Sequence, residues 1–181
     1  MLLAACVRQL RTPLSGRYAA TVACVRAYVG IGANLGSREV TIRRAIEVLG
    51  QVEGVDLIAV SRLRETAPWG PVEQPAFLNG AAALETELEP QALLEALLEI
   101  ERQLGRRRDE TTAGRWGPRV IDLDLLLYGE LVVDRPGLRV PHPLLHERRF
   151  ALEPLAELAP EAVVPGHGTV SALLAALDDA R

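Results

Sequence analysis

The chain has no lysine: every one of its 20 basic residues is arginine. A Walker-type phosphate loop needs its lysine and a Schiff-base enzyme needs its amine, so both mechanisms are excluded. Any phosphate chemistry must then run on arginine and metal. A GC-rich genome gives the same bias, so the arginine count by itself says nothing of function. Cysteine is almost as scarce, with only Cys6 and Cys24 near the start, which excludes a disulfide framework or a cysteine zinc site and fits a reducing cytoplasm. Aromatics make up 4% of the chain and the net charge is −4, so a general nucleic-acid or anionic-membrane binder is not expected. No apolar run is long enough to cross a bilayer without a charge, and Arg8 ends the "LLAAC" stretch too early for a signal peptide.

What is present is a chain of 181 residues, 49% apolar, with a mean hydropathy of +0.12, long enough for one ordinary domain with a core. Residues 1–26 carry four arginines and no acid, and read as an N-terminal extension before a single domain over 27–181. A targeting presequence shares that acid-poor bias and is the rival reading. "YVGIGANLGS" predicts a strand running into a glycine-rich turn, and "REVTIRRAIEVLG" a helix after it. The glycines at 30, 32 and 36 miss the dinucleotide-binding spacing, and a tight strand-to-helix turn explains them. "VDLIAVSRLRET" and "AFLNGAAALETEL" predict strands around the proline-rich loop "APWGPVEQP".

Pro90 opens a helix that Gly105 closes, with Leu93, Leu94, Leu97, Ile100 and Leu104 as its buried stripe. Glu101 projects into that stripe, where a carboxylate requires either an arginine partner or a role in a site. "RRRDETTAG" reads as a mobile loop. "RVIDLDLLLYG" and "ELVVD" predict two strands joined at Tyr128-Gly129, and "PHPLLHERRFALEPLAEL" and "GTVSALLAALDDA" two helices. The order predicts an α+β fold, a ferredoxin-like α/β sandwich with a mainly antiparallel sheet and helices packed on one face.

Residues two apart in a strand share a face about 7 Å apart, so Asp122 and Asp124 point together while Leu123 and Leu125 point away. Two hard carboxylates suit Mg²⁺, or a pair of such ions, completed by water and substrate phosphate. Alone, Asp-x-Asp is more commonly the solvated face of an edge strand. Arg106, Arg108, Arg115 and Arg119 flank it here, and guanidinium forks match phosphate oxygens. Asn79, two residues after Phe77, is placed to hydrogen-bond a flat heterocycle that the ring stacks on. The bland alternatives are a surface ion network for the arginines, a core ring with a capping amide for Phe77 and Asn79, and a loop-packing role for His142.

Taken in order, "GIGANLGS", "SRLRETAPWG", "QPAFLNGA", "LEIERQLGR", "RWGPRVIDLDLLLYG" and "VPHPLLHERRFALEPL" resemble the 6-hydroxymethyl-7,8-dihydropterin pyrophosphokinase family, from about Tyr28 to the C-terminus. The resemblance implies transfer of the β,γ-diphosphate of ATP to the pterin's hydroxymethyl group, with AMP released, in folate biosynthesis. It implies that Asp122 and Asp124 bind two Mg²⁺ ions and act in catalysis with Arg106 and Arg119. ATP would be held by Glu101, Arg108, Arg115, Trp116, His142 and Arg148. The pterin would be held by Thr66, Ala67, Pro68, Trp69, Phe77, Asn79 and Phe150. Phe77 stands where some members carry tyrosine, and Pro143 where some carry another aromatic. The partners implied are these two small molecules alone, without nucleic acid or membrane, for a cytoplasmic monomer or weak dimer. A non-catalytic ferredoxin-like RNA-binding module and a different Mg²⁺-dependent kinase are the rival readings; AMP release separates the first from an enzyme and the nucleotide product separates the second.

Overall fold

The computed structural model describes residues 24–107 and 117–179. Its elements are β1 (Val25–Ala33), α1 (Arg38–Leu49), β2 (Val55–Val60), β3 (Arg64–Thr66), β4 (Phe77–Thr86), α2 (Pro90–Gln103), β5 (Asp122–Tyr128), β6 (Val133–Arg135), β7 (Leu138–Val140), α3 (Arg149–Leu158), β8 (Val163–Val164), β9 (Gly168–Thr169) and α4 (Val170–Asp179), with a 3₁₀ turn at Leu145–Glu147. The main sheet runs β2-β4-β1-β5, and β3 continues the β2 edge along β4. All its pairings are antiparallel. Two strand-helix-strand units interleaved in this order give the ferredoxin-like arrangement expected from the sequence.

Strand alternation decides which residues meet the helices. Ala27, Val29, Ile31 and Ala33 of β1 and Leu123 and Leu125 of β5 are buried against Ile42, Ala45 and Leu49 of α1 and Leu93, Leu97 and Ile100 of α2. Each large aliphatic side chain buried in this way contributes about 1.5–3 kcal/mol. The opposite face is not open, as a one-sided helix layer would leave it. Leu126 and Leu127 pack there with Leu145, Ala151, Leu152, Leu155, Val164 and Val170, so α3 and α4 form a second layer. A register shift between Tyr28 and Val29 accounts for two consecutive leucines on one face. Such a bulge turns one extra residue out of the alternation.

Three further expectations are corrected. Strand β6 does not return along β5 but pairs with β7 in a separate hairpin. The segment 141–158 is not one helix. His142 is tied by its N–H to the Leu126 carbonyl, and Arg148 is extended (φ −102, ψ 90), so the α-helix begins only at Arg149. Finally, Gly30 and Gly32 lie within the central strand rather than in the turn, where only Gly36 takes a left-handed φ of 62°. Strand β1 starts at Val25, with Val25 and Arg26 paired to Thr86 and Glu85, ahead of the start expected at Tyr28. Among the described residues no helix is long and apolar enough to cross a membrane.

Candidate active site

Three strands build the site from one cross-sheet row. Asp122 of β5 lies opposite Gly32 of β1, which lies opposite Asn79 of β4, and Asp124 lies opposite Gly30. The two glycines remove the side chains that would stand between the carboxylates and the amide, leaving a trough over the central strand. A Cβ on Gly32 would sit 2.6 Å from Asn79 Oδ1, closer than any real contact, and one on Gly30 would meet Leu126 at 3.3 Å. Thr66, Ala67, Trp69, Phe77 and Asn79 line one end of the resulting cavity. Arg119, Asp122, Asp124, His142 and Arg148 line the other, and Phe150 and Gln74 complete the wall.

The end of α2 explains how Arg106 reaches this place. Gly105 takes φ 90°, the Gly105 N–H donates to the Arg102 carbonyl at 3.1 Å, and the Arg106 N–H donates to the Glu101 carbonyl at 2.9 Å. That pair of bonds is a Schellman closure, for which a glycine in the left-handed region is the favoured residue. It turns the chain so that the Arg106 guanidinium donates to both Glu101 and Asp122. Glu101, 1% exposed, also accepts the N–H of Leu123 at 2.7 Å. The carboxylate on the apolar stripe therefore fastens the end of α2 to the start of β5. It does not line the cavity; Arg106 and Pro68 do not line it either.

The two aspartates sit in opposite electrostatic states. Burial raises the Asp122 carboxyl, but the charges of Arg106 and Arg119 outweigh burial and hold it below the usual carboxylate range. Arg119 Nη1 donates to Asp122 Oδ2 at 2.6 Å. Asp124 is pushed up to about 7 by burial and then by the charge of Asp122. Among the described residues its ion-pair partner is Arg148, at 3.8 Å. Burial lowers Arg106, and the charges of Asp122 and Glu101 more than reverse that effect. His142 is pushed down to about 4 by burial and by Arg148, so its ring is neutral near pH 7.

Arg148 joins the two ends of the cavity. Its guanidinium lies 5.0 Å from the Trp69 ring centre and 5.7 Å from that of Phe150, within cation–π range. It also lies 3.4 Å from His142 Nε2. The Trp69 and Phe150 rings are 6.4 Å apart and tilted at 55°. Asn79 Nδ2 donates to Thr66 Oγ1 at 2.8 Å, fixing the amide against β3.

Sequence reasoning missed the floor glycines and Asn34. Asn34, 3% exposed, accepts the Arg119 N–H on Oδ1 at 2.7 Å and donates its own N–H to the Arg119 carbonyl at 3.0 Å. Its Nδ2 donates to Gln74 Oε1 at 3.0 Å and to the Pro75 carbonyl at 3.1 Å. One amide thus joins Arg119 to the loop at the opposite end. The available signal was compositional: the chain has only two asparagines, and this one follows the glycine pair. Arg108, Arg115, Trp116 and the "DETTAG" segment lie outside the described residues.

Among the described residues no three of His, Cys, Asp and Glu gather as a metal cluster. Two half-buried carboxylates on one strand face still suit Mg²⁺, which takes few protein oxygens and keeps water and phosphate.

Residues 28–160 match the family model for 7,8-dihydro-6-hydroxymethylpterin-pyrophosphokinase. A 2-amino-4-hydroxy-6-hydroxymethyldihydropteridine pyrophosphokinase of Methylorubrum extorquens is 46% identical over 153 residues, 84% of this chain and 94% of the relative. The enzyme of the same name from Pseudomonas aeruginosa is 46% identical over 151 residues, 83% of this chain and 91% of the relative. That from Bacillus subtilis is 44% identical over 132 residues, 73% and 77%. The solved Plasmodium falciparum HPPK-DHPS, wild type with pteroate, superposes with a TM-score of 0.67 at 14% identity, covering 84% of this chain. This chain spans 44% of that one, and the likeness is one of fold.

Proposed function

The chain belongs to the 7,8-dihydro-6-hydroxymethylpterin-pyrophosphokinase family, and we propose that it transfers the β,γ-diphosphate of ATP to the hydroxymethyl group of 6-hydroxymethyl-7,8-dihydropterin in folate biosynthesis. The hydroxymethyl oxygen bonds to the β-phosphorus, the bond from that phosphorus to the α,β-bridging oxygen breaks, and AMP leaves. The observation that carries this reading is the glycine-floored trough with paired carboxylates and arginines at one end and an amide with aromatic rings at the other.

Asp122 and Asp124 are the residues that would hold two Mg²⁺ ions, which when bound neutralise triphosphate charge and favour ionisation of the attacking hydroxyl. Arg106 and Arg119 supply fixed positive charge beside them, where negative charge builds on the moving diphosphate. Arg108, Arg115 and Trp116 join the phosphate side on the strength of the family pattern. Glu101 acts behind the site by holding Arg106 rather than by touching ATP. A second cavity shares Asp124 and His142 with the first and runs along the β6–β7 hairpin past Leu94, Leu138 and Pro143. It gives the nucleoside of ATP an aliphatic wall, with His142 and Arg148 at the junction. Phe77, Trp69 and Phe150 cover the pterin faces, and Asn79 with the Thr66–Trp69 backbone meets its edge; Pro68 shapes that turn.

The same reading assigns a single pyrophosphokinase domain after an N-terminal extension, a cytoplasmic location, a monomer or weak dimer, and no nucleic-acid partner. The net charge of −4 supports the last of these. The test is product analysis with Mg²⁺, ATP and the pterin alcohol. AMP and pterin diphosphate are expected, whereas ADP overturns the reading. Asp122→Asn and Asp124→Asn should each lower turnover at least about 10³-fold while the fold persists. Near-normal turnover by either variant refutes its assignment.

A further inference from the structure

Arg38 is an unexpected residue to open a helix. The first turn of an α-helix carries partial positive charge, so a cation there is locally unfavourable, and Ser37 before it makes no side-chain cap. A residue that breaks a local rule calls for a compensating contact elsewhere. Its guanidinium reaches away from α1: Nη1 donates to the Ala76 carbonyl at 2.7 Å and Nη2 to Glu65 Oε2 at 2.6 Å.

Those two acceptors bracket one loop. Glu65 lies just before it on β3 and Ala76 lies at its end, immediately ahead of Phe77. The ten residues from β3 to β4, 67–76, form neither strand nor helix, and Ala67, Trp69 and Gln74 among them line the cavity. Their returning arm is gripped at consecutive positions, with Asn34 on Gln74 and Pro75 and Arg38 on Ala76. Asn34 is also bonded to Arg119, whereas the Arg38 guanidinium, among the described residues, donates to this loop and its flank alone.

We propose that Arg38 is a positioning residue that sets affinity for the pterin by holding the returning arm of loop 67–76 in its binding shape. The inference rests on the cavity being the pterin site. Arg38 lines no part of the cavity, so its effect passes through Phe77, Gln74 and Trp69. Without it the loop samples other shapes, and the fraction competent to bind falls in proportion. The pair with exposed Glu65 is screened by solvent, so the bond to the Ala76 carbonyl is the stronger hold.

The experiment compares wild type, Arg38→Ala, Arg38→Lys and Arg43→Ala. Arg43 pairs with Glu39 on the exposed face of the same helix and serves as control. Arg38→Ala should raise pterin KM about five- to tenfold with kcat and ATP KM within about twofold of wild type. Arg38→Lys should fall between the two, and Arg43→Ala should match wild type. Hydrogen exchange of 67–76, measured without substrates, should quicken in Arg38→Ala while the β1 and β4 amides keep their protection. Unchanged pterin KM, or unchanged exchange in the loop, overturns the proposal; so does an equal loss in kcat and both KM values. Absence of AMP formation by wild type sinks the pyrophosphokinase reading instead, and the substrate-free exchange still decides whether Arg38 holds the loop.

Discussion

Gly32→Ala tests the trough at its floor. The position is extended, and Gly32 does not use a left-handed φ, so alanine fits the backbone. Replacing glycine at a compatible site stabilises by about 0.4–1 kcal/mol through the unfolded chain. The added methyl, however, would stand 2.6 Å from Asn79 Oδ1, with Phe77 Cδ1 at a comfortable 3.9 Å. Ordinary contact begins near 3.4 Å, so the amide must retreat by about 0.8 Å. Such a shift stretches or breaks its 2.8 Å bond to Thr66 and takes the amide off line with the heterocycle it meets on the proposed reading. A misaligned pair of buried hydrogen bonds costs about 1–3 kcal/mol, or roughly five- to a hundredfold in pterin KM. The near neighbours of the new methyl do not include Asp122, so ATP KM should stay put. Steady-state kinetics with AMP as readout, with each substrate varied in turn, is the assay, and a thermal melt accompanies it. Raised pterin KM with a Tm equal to or modestly below that of wild type is expected, because the strained Asn79–Thr66 bond offsets the gain through the unfolded chain. An unchanged pterin KM, or a lower Tm with both KM values shifted alike, refutes the floor argument.

Glu101→Ala leaves the Leu123 N–H and the Arg106 charge short of a buried partner, and should destabilise by about 3–5 kcal/mol in urea denaturation. Glu101→Gln, which retains an acceptor for Leu123, should lose less; equal losses would show that the charge is irrelevant. His142 gives a pH signature. Its folded-state value of about 4 lies below the ordinary 6.5, so the unfolded chain binds the extra proton between those values. The stability it contributes is complete above about pH 6.5 and is lost as pH falls toward 4. Asp124, shifted the opposite way, imposes the reverse slope over part of the same window, so the informative quantity is the difference between wild type and His142→Asn. That difference should narrow as pH falls from 7 to about 4 in denaturant titrations; a constant difference refutes the assignment.

The legible parts of this molecule are those whose signal is local. Alternation in "DLDLLLY" reveals that Asp122 and Asp124 share a face because period two is a local property of the strand, and the bulge lies beyond both. Helical spacing marked Glu101 as an anomaly on an apolar stripe, and its contacts with Arg106 and Leu123 explain the anomaly. Gly30 and Gly32 were misread because glycine weakens a strand and suggests a turn; only the pairing with Asp122, Asp124 and Asn79 reveals a floor. The bulge that sends both Leu126 and Leu127 to one face leaves no trace in a run of leucines. Asn34 and Arg38 act across tens of residues, so no spacing rule could pick them out. The second helix layer escaped for a similar reason: α3 shows an apolar stripe, but a stripe does not say which face of the sheet it covers.

The unequal treatment of the two aspartates bears on how such a site accepts a polyphosphate. Among the described residues, Asp122, Asp124 and Glu101 stand against Arg106, Arg119 and Arg148. The pairing is uneven in space, since Arg106 and Arg119 both hold Asp122 while Asp124, among the described residues, pairs with Arg148 at 3.8 Å. Protonation relieves that imbalance up to about pH 7, and a divalent cation relieves it without the proton. On the proposed reading, a cation that also took Asp122 would compete for oxygens held by Arg106 and Arg119, and each guanidinium so released would be a fork available to phosphate. The arginine pairs are thus better understood as a charge store at the trough than as stability devices, because buried ion pairs contribute little net stability over apolar packing of similar shape.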